Sequence, residues 1–211
     1  MRKIILLIMV GAIVAFMLRV PRAEVVNAEL ISISIALPIE QQLRQGINEC
    51  GPYSVAAAMA AVKGAFQSPV DVVHETPWRL PSGGTLPWGM MSVIESNGFV
   101  AEPFTARGLS DDDKVRVLAN ELADGHPVIL LGRKEEVLHY VTVLGYDRDV
   151  ETFHFYDPWH PAGNDGLTVD ENGAASGNRS LTRAELFDFW QGGGTGPFYR
   201  WYGIAVGSES I

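Results

Sequence analysis

Apolar positions in this chain follow three patterns: one unbroken run, stretches that alternate, and stretches spaced by three or four. The unbroken run, Ile4 to Leu18, carries no charge and follows Arg2 and Lys3. A positive start and an apolar core shorter than the ~20 residues that cross a bilayer describe a secretory signal. Val26-Asn27-Ala28 supplies a small-residue cleavage site before Glu29. An uncleaved N-terminal membrane anchor is the alternative. The chain therefore divides into residues 1–28, signal peptide or anchor, and 29–211, one folded domain. It is expected outside the cytoplasm: secreted, periplasmic or held to the membrane through residues 4–18.

Strand period appears where Ile31, Ile33 and Ile35 alternate with serines between Glu29 and Pro38. Short strands follow at Phe99–Ala101, Pro127–Leu131, His139–Tyr146, Phe153–Asp157 and Tyr199–Val206, with Asp147-Arg148-Asp149 as a turn. Helical signals lie between them. The Ala-rich stretch Val55–Lys63 has Pro52 in its first turn and Gly64 as its stop. Val70, Val72 and Val73 suit a short helix or strand. Thr85 caps a helix running from Pro87 to about Asn97. Ser110 caps another, with Asp111, Asp112 and Asp113 at its positive end and Val115, Leu118 and Leu122 on one face. Thr182 and Glu185 form a capping box that opens a helix to Trp190. Residues 158–180 read as a polar loop.

Composition narrows the function. The 211 residues are 47% hydrophobic and 19% charged, enough apolar material for one core. A net charge of -9 without a basic run argues against a nucleic-acid partner. One cysteine excludes an internal disulfide and a Cys-rich zinc site. The aspartate triplet is a dipole-favoured surface rather than a metal cluster, and no histidine pair has ligand spacing, so neither a metal nor a cofactor is expected.

Cys50 stands where the loop Gln45-Gly46-Ile47-Asn48-Glu49 enters the Ala-rich helix. Unpaired N–H groups and the positive helix end favour a thiolate there, and the thiolate is the nucleophile. Such a nucleophile needs a base, a group that orients the base, and oxyanion donors. A turn centred on Arg148 pairs His139 directly with Asp157, with Cβ atoms ~4.5–5.5 Å apart. A carboxylate there fixes the imidazole's tautomer. His74, His126, His154 and His160 lack such support. The Gln45 side chain and the Cys50 backbone N–H are the candidate oxyanion donors.

These blocks resemble a known family. Gln45, then Cys50-Gly51-Pro52, Gly125-His126-Pro127-Val128-Ile129, His139 through Tyr146, and Tyr156-Asp157-Pro158-Trp159 look like the double-glycine-leader (bacteriocin-processing) cysteine peptidase-like family. The resemblance spans roughly residues 36–206. It implies an α+β, papain-like fold, with the nucleophile's helix packed on an antiparallel sheet. It also implies roles: Cys50 as nucleophile, His139 as general base, Asp157 as the orienting acid and Gln45 in the oxyanion hole. Glu49 departs from the Asp that many members carry before the cysteine.

The expected activity is a thiol hydrolase that cleaves a peptide or isopeptide bond in a peptide or protein substrate through an acyl-enzyme. Acyl transfer to an amine would use the same residues. A non-catalytic peptide-binding module on the same fold is the third reading; Glu49 keeps it open, since a neighbouring anion disfavours a thiolate.

Overall fold

The computed structural model describes residues 20–159, 177–194 and 199–209. The apolar run Ile4–Leu18, His160 and most of the expected 158–180 loop lie outside the described residues. Among the described residues no helix is long and apolar enough to cross a membrane.

Seven strands form one antiparallel sheet: β1 (Ile33–Ser34), β2 (Phe99–Thr105), β3 (Val128–Lys134), β4 (Val137–Asp147), β5 (Thr152–Tyr156), β6 (Arg179–Thr182) and β7 (Tyr202–Ser208). Their order is β2-β7-β3-β4-β5-β6, and β1 pairs with the far end of β4. Among the described residues five α-helices accompany them: α1 (Cys50–Lys63), α2 (Pro69–Glu75), α3 (Pro87–Ser96), α4 (Asp111–Ala123) and α5 (Arg183–Gln191). The fold is α+β, as expected.

Helices cover both faces of the sheet. On one, Val55 and Met59 of α1 and Met90 and Ile94 of α3 pack on Ile129, Leu131 and Ile204. On the other, Leu118 and Leu122 of α4 and Leu186 and Trp190 of α5 pack on Leu130, Val143 and Phe155. Burial on two sides explains why Val128 through Leu131 are all apolar instead of alternating. Each such Leu, Ile or Phe contributes roughly 1.5–3 kcal/mol. Ala56, Ala57, Ala58 and Ala60 are fully buried, so small side chains bring α1 close to the sheet. That close approach fixes where the N-terminus of α1, and Cys50 with it, meets the strands.

Of the three expected caps, those at Ser110 and Thr182 form and the one at Thr85 does not; Ser68 is a further cap. Ser68 and Ser110 accept the N–H of Asp71 and Asp113, and the Thr182–Glu185 capping box is complete. The helix from Pro87 is entered from Leu86, which makes no side-chain cap, rather than from Thr85. The expected Glu29–Pro38 strand shrinks to Ile33–Ser34 because the preceding residues run elsewhere. Thr105 N donates to Pro21 O, and Ala23 N donates to Thr105 O. Asn120 Nδ2 then holds Val26 O at 2.9 Å, and Arg116 Nη1 holds Ala28 O at 3.1 Å. Residues 21–30 thus form a strap across α4 and the end of β2, with Ala23, Val25 and Leu30 packed on the core.

The β4–β5 hairpin departs from expectation in a way that matters for the site. Its turn spans Arg148–Glu151, so Asp147 pairs with Thr152 and Gly145 with His154. Carried on unchanged, that register would put Asp157 opposite Thr142, on the face that His139 does not share. A bulge at Leu144 moves the register by one, and the next rungs are Val143–Phe155 and Thr142–Tyr156. A one-residue slip exchanges the two faces of a strand, so the bulge returns Asp157 to the face of Val141 and His139. Gly145 follows the bulge, and a Cβ there would sit 2.8 Å from Ile33 O, so only glycine admits β1 at this distance.

Candidate active site

Cys50 is the first residue of α1 and is partly exposed. It lines a cleft of about 470 Å³ together with Gln45, His139 and Trp159; Arg44 and Val137 stand at its margin. Three of the four residues singled out in the sequence therefore border one cavity. The fourth, Asp157, lies behind His139 and is wholly buried.

His139 Nε2 meets Asp157 Oδ1 at 2.7 Å, and both side chains are almost fully removed from solvent. Asp157 does not sit directly opposite His139, as the sequence suggested. The Thr142–Tyr156 rung, carried one residue on, puts Val141 opposite Asp157, and His139 is its diagonal neighbour on the same face. With Nε2 taken, Nδ1 is the imidazole nitrogen left for the thiol. Burial lowers the affinity of His139 for a proton, but the Asp157 hydrogen bond, with help from the neighbouring Cys50 thiol, outweighs it and raises the pKa above the ordinary value. Gly132, opposite His139 on β3, leaves room for the Phe189 ring, which stands edge-on to the imidazole at 6.4 Å. Trp159 covers it from another side at 5.6 Å.

Asp157 has more partners than the sequence suggested. Oδ1 also accepts the Trp159 backbone N–H at 2.9 Å. Oδ2 accepts Lys134 Nζ and Arg179 Nη1, each at 2.8 Å. Burial alone would raise its pKa; the His139 hydrogen bond, then the charges of His139 and Lys134, hold it far below the usual carboxylate range. Asn178 grips the main chain on both sides, its Oδ1 accepting Asp157 N at 2.8 Å and its Nδ2 donating to Asp157 O at 2.9 Å. Buried and bonded at both amide atoms, Asn178 is no glycosylation acceptor, although Asn178-Arg179-Ser180 has that sequence form. Lys134, Asn178 and Arg179 escaped sequence reading because each lies on a different strand or loop from Asp157, and nothing local marks them.

Gln45 N donates to Pro158 O, which ties the cysteine loop to the end of β5. Its Nε2 donates to Gly46 O at 3.2 Å, and its buried Oε1 has no partner. The amide is thus at the cleft but turned to its own loop. Glu49 closes that loop, its Oε2 accepting Gly46 N at 3.1 Å. Asn48, at φ 57°, donates to Ser82 O at 2.6 Å and pins the loop to the Arg79–Thr85 turn.

The other histidines sit elsewhere. His74 is exposed at the end of α2; His126 pairs with Glu121 at 3.1 Å and His154 with Ser180 Oγ at 2.8 Å. Among the described residues no three His, Cys, Asp or Glu side chains are grouped to hold a metal ion.

Comparison with known proteins gives three findings. A family described as the Peptidase_C39 like family matches residues 34–177. No curated protein matches the chain. Among the solved structures that share its fold are two peptidase domains. One is the peptidase domain of Streptococcus ComA, a bi-functional ABC transporter involved in a quorum sensing pathway. It is 16% identical over 80% of this chain and 99% of that one, with a TM-score of 0.52. The other is a double glycine motif protease from an AMS/PCAT transporter, solved in complex with the leader peptide. It is 14% identical over 83% of this chain and 97% of that one, with a TM-score of 0.52. At these identities the likeness establishes the fold alone, which is the papain-like α+β fold of those domains.

Proposed function

The chain belongs to the Peptidase_C39 like family, and from that premise we propose that it is a cysteine peptidase that cleaves a peptide or isopeptide bond through an acyl-enzyme. The observation that carries this reading is the His139 Nε2–Asp157 Oδ1 hydrogen bond of 2.7 Å, set directly behind a cleft that Cys50 lines.

In this reading Cys50 loses its proton to His139 Nδ1, and the thiolate adds to the substrate carbonyl carbon. The oxyanion takes hydrogen bonds from the Cys50 backbone N–H, which lies in the first helical turn without an intrahelical acceptor, and from the Gln45 amide. Gln45 Nε2 must leave Gly46 O to do so. His139 then gives its proton to the leaving amine, the C–N bond breaks, and a thioester remains. Water, deprotonated by His139, attacks the thioester; the C–S bond breaks and Cys50 is restored. Asp157 holds the imidazole throughout with Nε2 as donor, so the catalytic nitrogen is Nδ1.

Peptide is the substrate class this reading takes; the double-glycine-motif relative bound to its leader peptide is consistent with it. Glu49, the residue that favoured a non-catalytic module, is occupied by the Gly46 N–H. The apolar run Ile4–Leu18 supports a site of action outside the cytoplasm.

The test is labelling by an electrophilic peptide probe, followed by product analysis with a peptide library. Wild type is labelled at Cys50, while Cys50→Ala and His139→Ala are not. Equal labelling of all three defeats the reading. Capture of the acyl group by an added amine would convert hydrolase to acyl transferase.

A further inference from the structure

Besides the imidazole, the Asp157 carboxylate holds two cationic side chains. A buried carboxylate against a neutral imidazole would be under-compensated and driven toward protonation. Here Oδ2, the oxygen His139 does not use, is shared by two cations from opposite sides of the sheet's pairing order. Lys134 is the last residue of β3, and Arg179 is the first of β6, paired with Phe155. With Oδ1 taken by His139 and the Trp159 N–H, all four acceptor directions of the carboxylate are filled and it has one available rotamer. Lys134 does more. Its Nζ also donates to Trp159 O and lies 5.1 Å from the centre of the Trp159 ring. The same ring is packed against His139. One ammonium therefore fixes the imidazole's hydrogen-bond partner and the wall beside it.

We infer that Lys134 and Arg179 are positioning residues of this site: they clamp Asp157 as a carboxylate in one orientation and so govern the direction and charge of His139. This rests on the cysteine peptidase reading above. The formal charges of Asp157, Lys134 and Arg179 leave the group positive by one. It therefore holds the imidazole in place while countering the Asp157 charge that would otherwise make the imidazolium reluctant to release its proton. The cations also favour the ionised form of any thiol beside them. The other ionisable groups around the cluster are Cys50 on α1, Glu49 before it, Arg44 at the cleft, Tyr140 on β4 and Tyr156 on β5; on the side of Lys134 and Arg179 they are Arg133 of β3 and Glu185 and Asp188 of α5, and the substitutions leave all of these in place.

The experiment measures the rate of Cys50 alkylation by iodoacetamide from pH 4 to 10, which needs no peptide substrate. It uses the full chain and Lys134→Gln, Arg179→Gln, Lys134→Arg and His139→Ala, with circular dichroism confirming each fold. Removing a nearby positive charge makes every acid around it weaker. Both limbs of the profile are then expected to move to higher pH by about half a unit or more in each Gln variant, an order of magnitude set by charges a few Å apart in a medium of effective dielectric ~20. Lys134→Arg restores the profile. If Lys134→Gln does not fold, Arg179→Gln decides, because Arg179 is nearly a third exposed and stands on a short outer strand. Folded Gln variants with unshifted limbs overturn the clamp. A wild-type profile identical to that of His139→Ala would instead overturn the peptidase reading itself, so the two failures are distinguishable.

Discussion

Asp157 reaches His139 along a diagonal of the sheet, and Leu144 makes that diagonal possible. The extra residue in β4 shifts the hairpin by one, which is the difference between a carboxylate behind the imidazole and one on the far face of the sheet. The pairing of the two residues thus depends on a bulge five positions from His139.

The buried pair makes stability depend on pH in two directions. The folded pKa of Asp157 is far below its ordinary value. Its contribution is therefore present above the unfolded carboxylate's pKa of about 4 and fades as pH falls below it. The folded pKa of His139 is raised. Its contribution is full below about pH 6.5 and fades as pH rises through the folded value. Urea unfolding should show His139→Ala losing more stability relative to wild type at pH 5.5 than at pH 9. Asp157→Ala at pH 7 should cost about 3–5 kcal/mol, because Lys134 and Arg179 lose their common partner. Equal losses for His139→Ala at both pH values would contradict the assignment.

The role proposed for Gln45, oxyanion support, can be tested apart from thiol activation. Gln45→Ala should slow acylation by a peptide substrate on the order of 10²-fold. Alkylation by iodoacetamide develops no oxyanion and should stay near the wild-type rate. Parallel kinetics on the two reagents give the ratio; loss of both rates together would mean that the Gln45 side chain only supports the loop, through its bond to Gly46 O.

Gly145 is a steric requirement of the bulge. A methyl group there meets Ile33 O at 2.8 Å. Gly145→Ala should therefore push β1 off β4 and cost about 1–3 kcal/mol, as overpacking of a tight site does. Calorimetry would show it as a lower Tm. Hydrogen exchange should rise at Ile35, whose N–H is bonded to Leu144 O.

The strap at residues 21–30 belongs to the folded domain. A chain beginning at Glu29 loses the Pro21 and Ala23 bonds to Thr105 and the packing of Ala23 and Val25. It should unfold at lower temperature than one beginning at Val20 and expose the end of β2 to protease. Matching melting temperatures would show that the strap contributes nothing to stability.

Much of this was legible in the order of residues. Cys50 stood out because it is the single thiol and precedes a helix that Pro52, the alanines and Gly64 delimit by local chemistry. Ser110 and Thr182 announced their helices for the same reason: a cap bonds to a backbone group three residues away. The strands β3, β4 and β5 could be placed within a few residues because their apolar patterns are dense. The Glu29–Pro38 strand could not, since alternation there reports only that one face is apolar, and hydrogen bonds from Asn120 and Arg116 decide where the segment lies.

By itself the sequence determined what is local: which residue is the candidate nucleophile, where its helix starts and stops, and which histidine shares a hairpin with a carboxylate. Only the tertiary structure decided how these meet. The turn spans Arg148–Glu151 and Leu144 bulges because strand pairing is settled by the packing of both sheet faces, which no single hairpin encodes. Lys134 and Arg179 come to one carboxylate oxygen 23 and 22 residues away in the chain, because a buried charge draws its partners from whatever strands the sheet places beside it, and that order exists only once the sheet has formed.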